Sequence, residues 1–490
     1  MKKIISSLIV IISFFHTGFS QGLTEINLNS QKEEFTFESI IGQFEANTFA
    51  YSYKNNLLIV STFSDGNTNS VRNNVIKLVN SEGKKLTFLS AVMTLNGPVV
   101  FGYTQSKESQ NFYALSLTQE GSVSGEPVLI LQAKTIKNPL SQNLIIKTDI
   151  NRAKIILSYF RQAPKQKNYT IDVVILNTNL KQLTHSQPVI AIESHKKGTP
   201  YLDFQVYLDT DLEGYFATVE SAIIAKNREF DHNVIIHYYD ESGKVANTNL
   251  VESSKVDLFK PVMTPSRTED NITITGFYKP KESTLIEGYS GLYSTEYGLH
   301  SLEQHQSIQA PFKEGFVKYN FPKVAENVNG KQLVPLDYSI NRVESTTQGN
   351  ILVFIQEKKF TVNKTDGEKT IQLGNLVILD MNKKGIIAWS QLVPFSVEIR
   401  VKNNLKSISY PDTELAEWRF STKTLDDNVS ILYKKPTKQL EDGSFLYQTL
   451  WQTFYLEDGK PNKSKENGFY DKNEQLVYLT MYNRLISIEQ

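Results

Sequence analysis

The chemically most specific spacing in this chain is Asp209-Thr210-Asp211-Leu212-Glu213-Gly214-Tyr215, with Glu220 five places further on. Carboxylates at alternate positions, a glycine at the sixth and an acid at the twelfth form the pattern of a calcium loop. Hard oxygen ligands wrap the ion there, and the glycine permits the sharp turn. Glu213 departs from that pattern at the fifth position, where Asp or Asn is usual. Tyr215 to Ile224 reads as a strand, whereas such a loop leads into a helix. At about 3.3 Å per residue a strand carries Glu220 roughly 20 Å beyond Gly214, out of reach of the loop. The expectation is a turn, with Asp209, Asp211 and Glu213 as a weak calcium site and calcium as the one cofactor suggested. Asp65-Gly66-Asn67-Thr68-Asn69 has similar oxygen spacing without the twelfth-position acid, and reads as turn chemistry.

The remaining reactive residues form no catalytic motif. His232 and His237 are five apart, as are His300 and His305, which places each pair on opposite faces of a strand. His185 and His195 flank a proline-containing segment, and no HExxH occurs. Gly288-Tyr289-Ser290-Gly291 is not the G-x-S-x-G elbow, and the glycine-rich phosphate loops are missing. Asp426-Asp427, Glu441-Asp442 and Glu457-Asp458 are adjacent acids in turns. Glycoside hydrolysis needs two carboxyls about 5–10 Å apart across a sugar, so a working pair would come from different repeats. Trp389 and Trp451 fall in repeat strands and read as core; Trp418 is the better candidate for stacking on a sugar. No catalytic residue is assigned.

The elements that would position these residues are strands. Aromatics make up 11% of the 490 residues, which suits pleated, half-buried surfaces. Short apolar or alternating runs such as Ile272 to Thr275, Ile351 to Ile355 and Val173 to Leu176 are bounded by turn residues. Helical spacing is confined to residues 35–48, where Gly42 weakens it, and to Pro411 to Phe420.

Two kinds of turn recur in fixed order. The first is a polar pair before an apolar strand: Asn55-Asn56, Asn96-Gly97, Asn151-Arg152, Glu213-Gly214, Asp270-Asn271, Gln348-Gly349 and Asp427-Asn428. The second has a polar residue at i and Gly at i+3: Asn80…Gly83, Thr118…Gly121, Asp240…Gly243, Thr295…Gly298 and Asn382…Gly385, with Asn177 to Leu180 as a copy lacking the glycine. That is a type I turn whose glycine takes the bulge position. Each unit reads strand A, short turn, strand B, loop, strand C, short turn, strand D, which is one propeller blade. The expectation is an all-β chain, a β-propeller of seven or eight four-stranded blades; two or three β-sandwich domains are the alternative. Strands from the two chain ends, Leu23 to Leu28 or Phe35 to Ile41 and Gln475 to Glu489, would close the ring and hide its edges.

Met1-Lys2-Lys3, an apolar stretch from Ile4 to Phe15, and Gly18-Phe19-Ser20 have the layout of a secretory signal over residues 1–20, leaving residues 21–490 as a single repeat domain. No later apolar run approaches the roughly 20 residues of a spanning helix. The chain has no cysteine, so disulfides, thiolate metal sites and cysteine lipidation are excluded. Lys+Arg and Asp+Glu are equal at 52 each, which gives no electrostatic footprint for nucleic acid.

Gly276-Phe277-Tyr278 followed by Gly291-Leu292-Tyr293, and Asn375 to Asp380 leading to Gly385-Ile386-Ile387-Ala388-Trp389, resemble repeats of uncharacterised exported bacterial β-propeller-like proteins. Pro394 is followed by Phe395, where those relatives often show a lysine. The resemblance implies an exported envelope protein, periplasmic, attached to the outer membrane or extracellular, and implies no activity. Long B–C and D–A loops are expected at Glu357 to Gly374, Gln391 to Glu414 and Lys434 to Gln448, on one face of the last two full units. Long loops on a rigid scaffold concentrate binding. The functional expectation is a non-catalytic interaction module whose partner is an envelope protein or a glycan. A carbohydrate-active envelope enzyme with cross-blade carboxylates is the alternative.

Overall fold

The computed structural model describes residues 24–27 and most of residues 39–489. Residues 1–23, 28–38, 209–213 and 402–419, and several shorter connections between strands, lie outside the described residues. Strands follow one another through seven sheets in chain order, each built on a four-strand antiparallel path. Blade 1 holds β2 (Ser39–Phe44), β3 (Asn47–Lys54), β4 (Leu57–Ser64) and β5 (Val71–Ile76). Blade 2 holds β6 (Thr87–Thr94), β7 (Gly97–Gln105), β8 (Ser109–Leu117) and β9 (Val123–Lys134). Blade 3 holds β10 (Ser141–Thr148), β11 (Lys154–Gln162), β12 (Asn168–Asn177) and β13 (Gln182–Ser186), with β14 (Val189–Ala191) added to β12. Blade 4 holds β15 (Thr199–Tyr207), β16 (Tyr215–Ala225), β17 (Arg228–Tyr239) and β18 (Val245–Leu250). Blade 5 holds β19 (Val256–Pro265), β20 (Asn271–Pro280), β21 (Gly291–Gly298) and β22 (Gln304–Pro311). Helix α1 (Glu314–Asn320) and the small hairpin β23 (Ala325–Glu326) and β24 (Gln332–Leu333) come next. Blade 6 holds β25 (Tyr338–Ser345), β26 (Ile351–Val362), β27 (Lys369–Met381) and β28 (Ile387–Val393), with β29 (Val397–Val401) added to β27. Blade 7 holds β30 (Phe420–Leu425), β31 (Asn428–Gln439), β32 (Phe445–Tyr455) and β33 (Asn467–Asp471). An eighth, three-stranded sheet combines both chain ends: β34 (Gln475–Leu479) pairs antiparallel with β35 (Arg484–Glu489), and β1 (Thr24–Asn27) adds to β35 in parallel. This is a β-propeller.

The core lies between blades. Five apolar clusters join blades 1 and 2, 2 and 3, 3 and 4, 4 and 5, and 5 and 6. First strands lie innermost: β2 runs beside β6, β6 beside β10, and β19 beside β25. Last strands such as β9 and β22 present mostly exposed residues. A middle strand is covered on both faces, which is why β20 is buried from Asn271 to Lys279 and reads as a nearly continuous apolar or small run. The two Gly-Φ-Tyr segments are explained by register. Gly276 pairs with Tyr293, and Tyr278 with Gly291. A Cβ at Gly276 would fall 2.5 Å from the Tyr293 ring, and one at Gly291 2.5 Å from the Tyr278 ring. Each glycine makes room for the tyrosine laid across it.

The i, i+3 turns form as expected. The amide of the fourth residue donates to the carbonyl of the first at Asn80/Gly83, Thr118/Gly121, Asn177/Leu180, Asp240/Gly243 and Asn382/Gly385, all within 2.9–3.0 Å. Leu180 takes the left-handed conformation (φ 60°) that glycine takes elsewhere. In the blades these C–D turns are latches onto the last strand of the preceding blade. Thr184 Oγ1 donates to Glu241 O at 2.7 Å, Asn249 Nδ2 to Leu302 O at 3.0 Å, Gln306 Nε2 to Lys383 O at 2.9 Å, and Trp389 Nε1 to Leu456 O at 2.7 Å.

Three expectations change. In blade 1 the repeat is displaced by one strand: Asn55-Asn56 joins β3 to β4, the A–B turn is at Glu45, and Asn80…Gly83 follows β5. Residues 39–44 are a strand because Ile41 buries into the cluster between blades 1 and 2. In blade 5, Thr295 and Gly298 lie within β21, and the turn closes later, with Leu302 N donating to Gly298 O at 3.0 Å. The expected long loops are largely strand. Glu357 to Gly374 is a hairpin paired as far as Val362–Lys369, and Lys434 to Gln448 one paired as far as Gln439–Phe445. Gln391 to Glu414 begins with the end of β28 and with β29, and its remainder lies outside the described residues, as does Pro411 to Phe420. Polar content there signals exposure, but the backbone groups pair with each other, as two long antiparallel strands allow.

Candidate functional site

Blade 4 places two carboxyls side by side, for Asp203 on β15 and Glu220 on β16 are register partners. Glu220 is buried. Its Oε1 lies 3.2 Å from His232 Nε2 on β17, and its Oε2 accepts the backbone N–H of Lys260 on β19 at 3.1 Å. The Lys260 amide turns toward blade 4 because β19 bulges between Phe259 and Val262, with Lys260 at φ 50°. That conformation costs a residue with a Cβ about 1–2 kcal/mol, and such strain collects at functional sites. The side chain reaches the other way: Lys260 Nζ donates to Leu336 O at 2.9 Å and Tyr338 O at 2.8 Å, 5.3 Å from the centre of the Tyr289 ring. One lysine thus ties blades 4, 5 and 6. The His232 ring stands edge-on to Phe259, 4.1 Å between centres.

Burial, followed by the neighbouring Glu220 charge, pushes Asp203 up to about 6. Burial draws Lys260 down to about 8, against the pull of Glu220, Asp337 and Asp203. Both side chains lie deep yet keep partial contact with solvent. A folded-state pKa raised for a carboxyl means that its contribution to stability is full below the unfolded value near 4 and is lost as pH rises through about 6. Asp203→Asn is therefore expected to stabilise the protein at pH 7, on the order of 1–2 kcal/mol after solvent screening, and to change little at pH 4. Urea unfolding at the two pH values checks this.

The arrangement does not present two free carboxylates to a sugar. Asp203 and Glu220 belong to one blade, and both Glu220 oxygens are engaged. The calcium candidates Asp209, Asp211 and Glu213 lie outside the described residues, between the end of β15 and the start of β16, and Glu220 is committed elsewhere. Among the described residues, no group of three His, Asp or Glu side chains converges as metal ligands would. Asp65 to Asn69, Trp418, His195, His300, Asp426-Asp427 and Glu441-Asp442 also lie outside the described residues. Asp458 pairs with Lys460 at 2.5 Å on the surface. Trp389 is buried against the blade 7 turn. His185 approaches Asp172 at 3.4 Å, and His237 meets Thr248 Oγ1 at 2.9 Å, its pKa lowered by burial.

Lys260 and Asp203 belong to no sequence motif. Their signal was a charge set inside an apolar run: Leu258-Phe259-Lys260-Pro261-Val262 and Leu202-Asp203-Phe204. The insertion between blades 5 and 6 was also unmarked, though Phe312, Phe316 and Phe321 have near-helical spacing. Phe312 stacks on Phe316, and Phe321 meets Tyr338 edge-on at 4.8 Å. Val334 and Tyr289 exchange backbone hydrogen bonds at 2.8 and 3.0 Å. The insertion reaches the foot of the blade 6 hairpin, where Lys358 N donates to Asp337 O at 2.7 Å and Lys359 Nζ lies 3.3 Å from Asp337 Oδ2.

No family model and no curated protein matches the chain. Among solved structures it is similar to dihydro-heme d1 dehydrogenase NirN in complex with DHE, at 10% identity over 56% of this chain and 57% of that one, with a TM-score of 0.25. Prolyl oligopeptidase B from Galerina marginata is similar at 10% identity over 85% of this chain and 46% of that one, with a TM-score of 0.31. The Vanderwaltozyma polyspora Nup133 β-propeller domain is similar at 7% identity over 92% of this chain and 100% of that one, with a TM-score of 0.37. The chain thus spans about half the length of the first two. No helix among the described residues is long and apolar enough to cross a membrane.

Proposed function

We propose that this chain is a non-catalytic binding module of the bacterial envelope, exported through its N-terminal leader, which engages an envelope protein or glycan with the hairpin-bearing face of blades 6 and 7. The observation that carries this reading is the length of two hairpins. β25 pairs with β26 only as far as Glu357, yet β26 and β27 continue to Val362 and Lys369, and β29 joins them at Lys369 to Leu373. β31 and β32 continue past the last pair with β30, at Tyr433, to Gln439 and Phe445. Paired strands cost less ordering entropy on binding than free loops, so they make preorganised contact surfaces.

Replacing residues 361–370 and 439–445 by Asn-Gly turns keeps both blades while removing the outer ends of the projections. The shortened protein is expected to retain its melting temperature and to lose a stoichiometric partner that the intact protein brings down from native envelopes. Rebinding of that component, once purified, to intact but not to shortened protein checks the result. Equal capture by both proteins would overturn the reading.

A further inference from the structure

We infer that the turn-side end of the interface between blades 5 and 6 is a site for a small free α-amino acid, held by its ammonium and carboxylate groups. The A–B and C–D turns lie there, at the opposite end of the strands from the hairpins of blades 6 and 7. One wall is a cross-strand row. Thr273 on β20 pairs with Glu296 on β21, which pairs with Gln306 on β22. Directly opposed residues share a face of the sheet, and all three line a cavity of about 30 Å³ between the blades. Thr273 is 6% exposed, yet its hydroxyl has no hydrogen-bond partner among the described residues. Glu296 accepts from Asn271 Nδ2 at 3.1 Å through Oε1, and its Oε2 has no partner among the described residues.

The opposite wall carries a cation. Lys383, in the C–D turn of blade 6, lies across Gly349, whose φ is 78°. A Cβ on Gly349 would fall 3.1 Å from Lys383 Cε and 3.7 Å from its Nζ, so the bare glycine seats the lysine chain against the cavity. Gln306 Nε2 donates to Lys383 O at 2.9 Å and holds that turn in place. Glu296 and Lys383 therefore line one cavity from two blades, and among the described residues no ion pair joins them.

A cavity that keeps opposite charges apart suits a ligand that carries both. An α-amino acid sets an ammonium and a carboxylate on one carbon. A water needs about 10–15 Å³ of such space, so the cavity takes two or three polar groups of that size, which is the charged end of the ligand. The ammonium meets Glu296 and the Thr273 hydroxyl, and the carboxylate meets Lys383. Such charge-assisted hydrogen bonds are the strong ones. Ile308 and Ile351 also line the cavity and leave apolar surface for the α-carbon and a methyl group. A ligand with a single charge would leave one wall unmatched.

The test is calorimetric titration of the full mature chain with glycine, L-alanine and D-alanine, with ethylamine and acetate as singly charged controls. At least one amino acid is expected to bind with Kd below about 1 mM, and both controls at least about ten-fold more weakly. Glu296→Gln and Lys383→Met should each weaken binding about ten-fold, and Thr273→Val, which keeps the shape, about three-fold. Unchanged melting temperatures show that the variants fold. The protein with shortened hairpins is expected to bind the same amino acid unchanged, so failure here and failure of the hairpin reading are separately visible. No binding of any of the three amino acids up to about 20 mM would mean that the cavity holds water alone and would overturn the inference. Binding indifferent to Glu296→Gln and Lys383→Met would overturn it equally.

Discussion

Asp172→Ala is expected to destabilise the protein by about 3–5 kcal/mol, the cost of leaving a buried charge without its partner. Asp172 on β12 and Arg161 on β11 form an ion pair whose side chains are 1% and 3% exposed. Asp172 also accepts from Gln187 Nε2 at 2.8 Å. The guanidinium lies over the Tyr159 ring at 4.6 Å, and its second nitrogen donates to Lys134 O, at the end of β9, at 2.7 Å. The pair therefore joins blade 3 to blade 2 as well as completing its own sheet. Removing the carboxylate leaves the buried guanidinium without its counter-charge. The double substitution Arg161→Met with Asp172→Leu removes both charges and should recover more than half of the loss, because the desolvation of both ions disappears with them. Denaturant midpoints of the two single variants and the double variant decide this. A double variant no more stable than Asp172→Ala would show that the pair matters for its hydrogen bonds to Lys134 and Gln187 more than for its charge balance.

The second large effect concerns the turns that latch one blade to the next. Gly385 has φ 73°, and a Cβ there would fall 2.7 Å from both Gln309 O and Ile308 Cγ2 of the preceding blade. Gly385→Ala is expected to cost about 2–4 kcal/mol, roughly 1 from the left-handed backbone and the rest from prying blades 5 and 6 apart. Gly83 is the internal control. It closes the same type of turn at φ 74°, yet nothing lies within 4 Å of the position a Cβ would take. Gly83→Ala should cost only the backbone strain, about 1 kcal/mol. Thermal or urea unfolding of the two variants side by side checks the comparison. Equal losses would mean that turn conformation alone explains the glycines, and that the contact with the neighbouring blade contributes nothing.

Much of this architecture was legible because it is local. Asn382 and Gly385 specify their turn through an amide three residues away, and Asn177 does so even though Leu180 replaces the glycine. The Gly276 and Gly291 pairs were visible as a repeated Gly-Φ-Tyr string, although the reason, one tyrosine lying over each glycine, needed the register of β20 against β21. Blade 1 marks the limit. Lys54 pairs with Leu57 across Asn55-Asn56, but a polar pair between strands does not say which strand of a blade it follows.

By itself, then, the sequence determined that this chain is a succession of short antiparallel strands, how its tight turns are made, and that strands repeat in blades, since each depends on contacts within a few residues. Only the tertiary structure decided that the polar stretches of blades 6 and 7 continue as paired hairpins, that the C–D turns clamp the preceding blade, and that Asp203, Glu220, His232 and Lys260 meet. The first and last of those four are 57 positions apart and are joined only where a bulge in β19 turns one amide toward the neighbouring blade. Packing between blades sets such distances, and no local spacing along the chain encodes them.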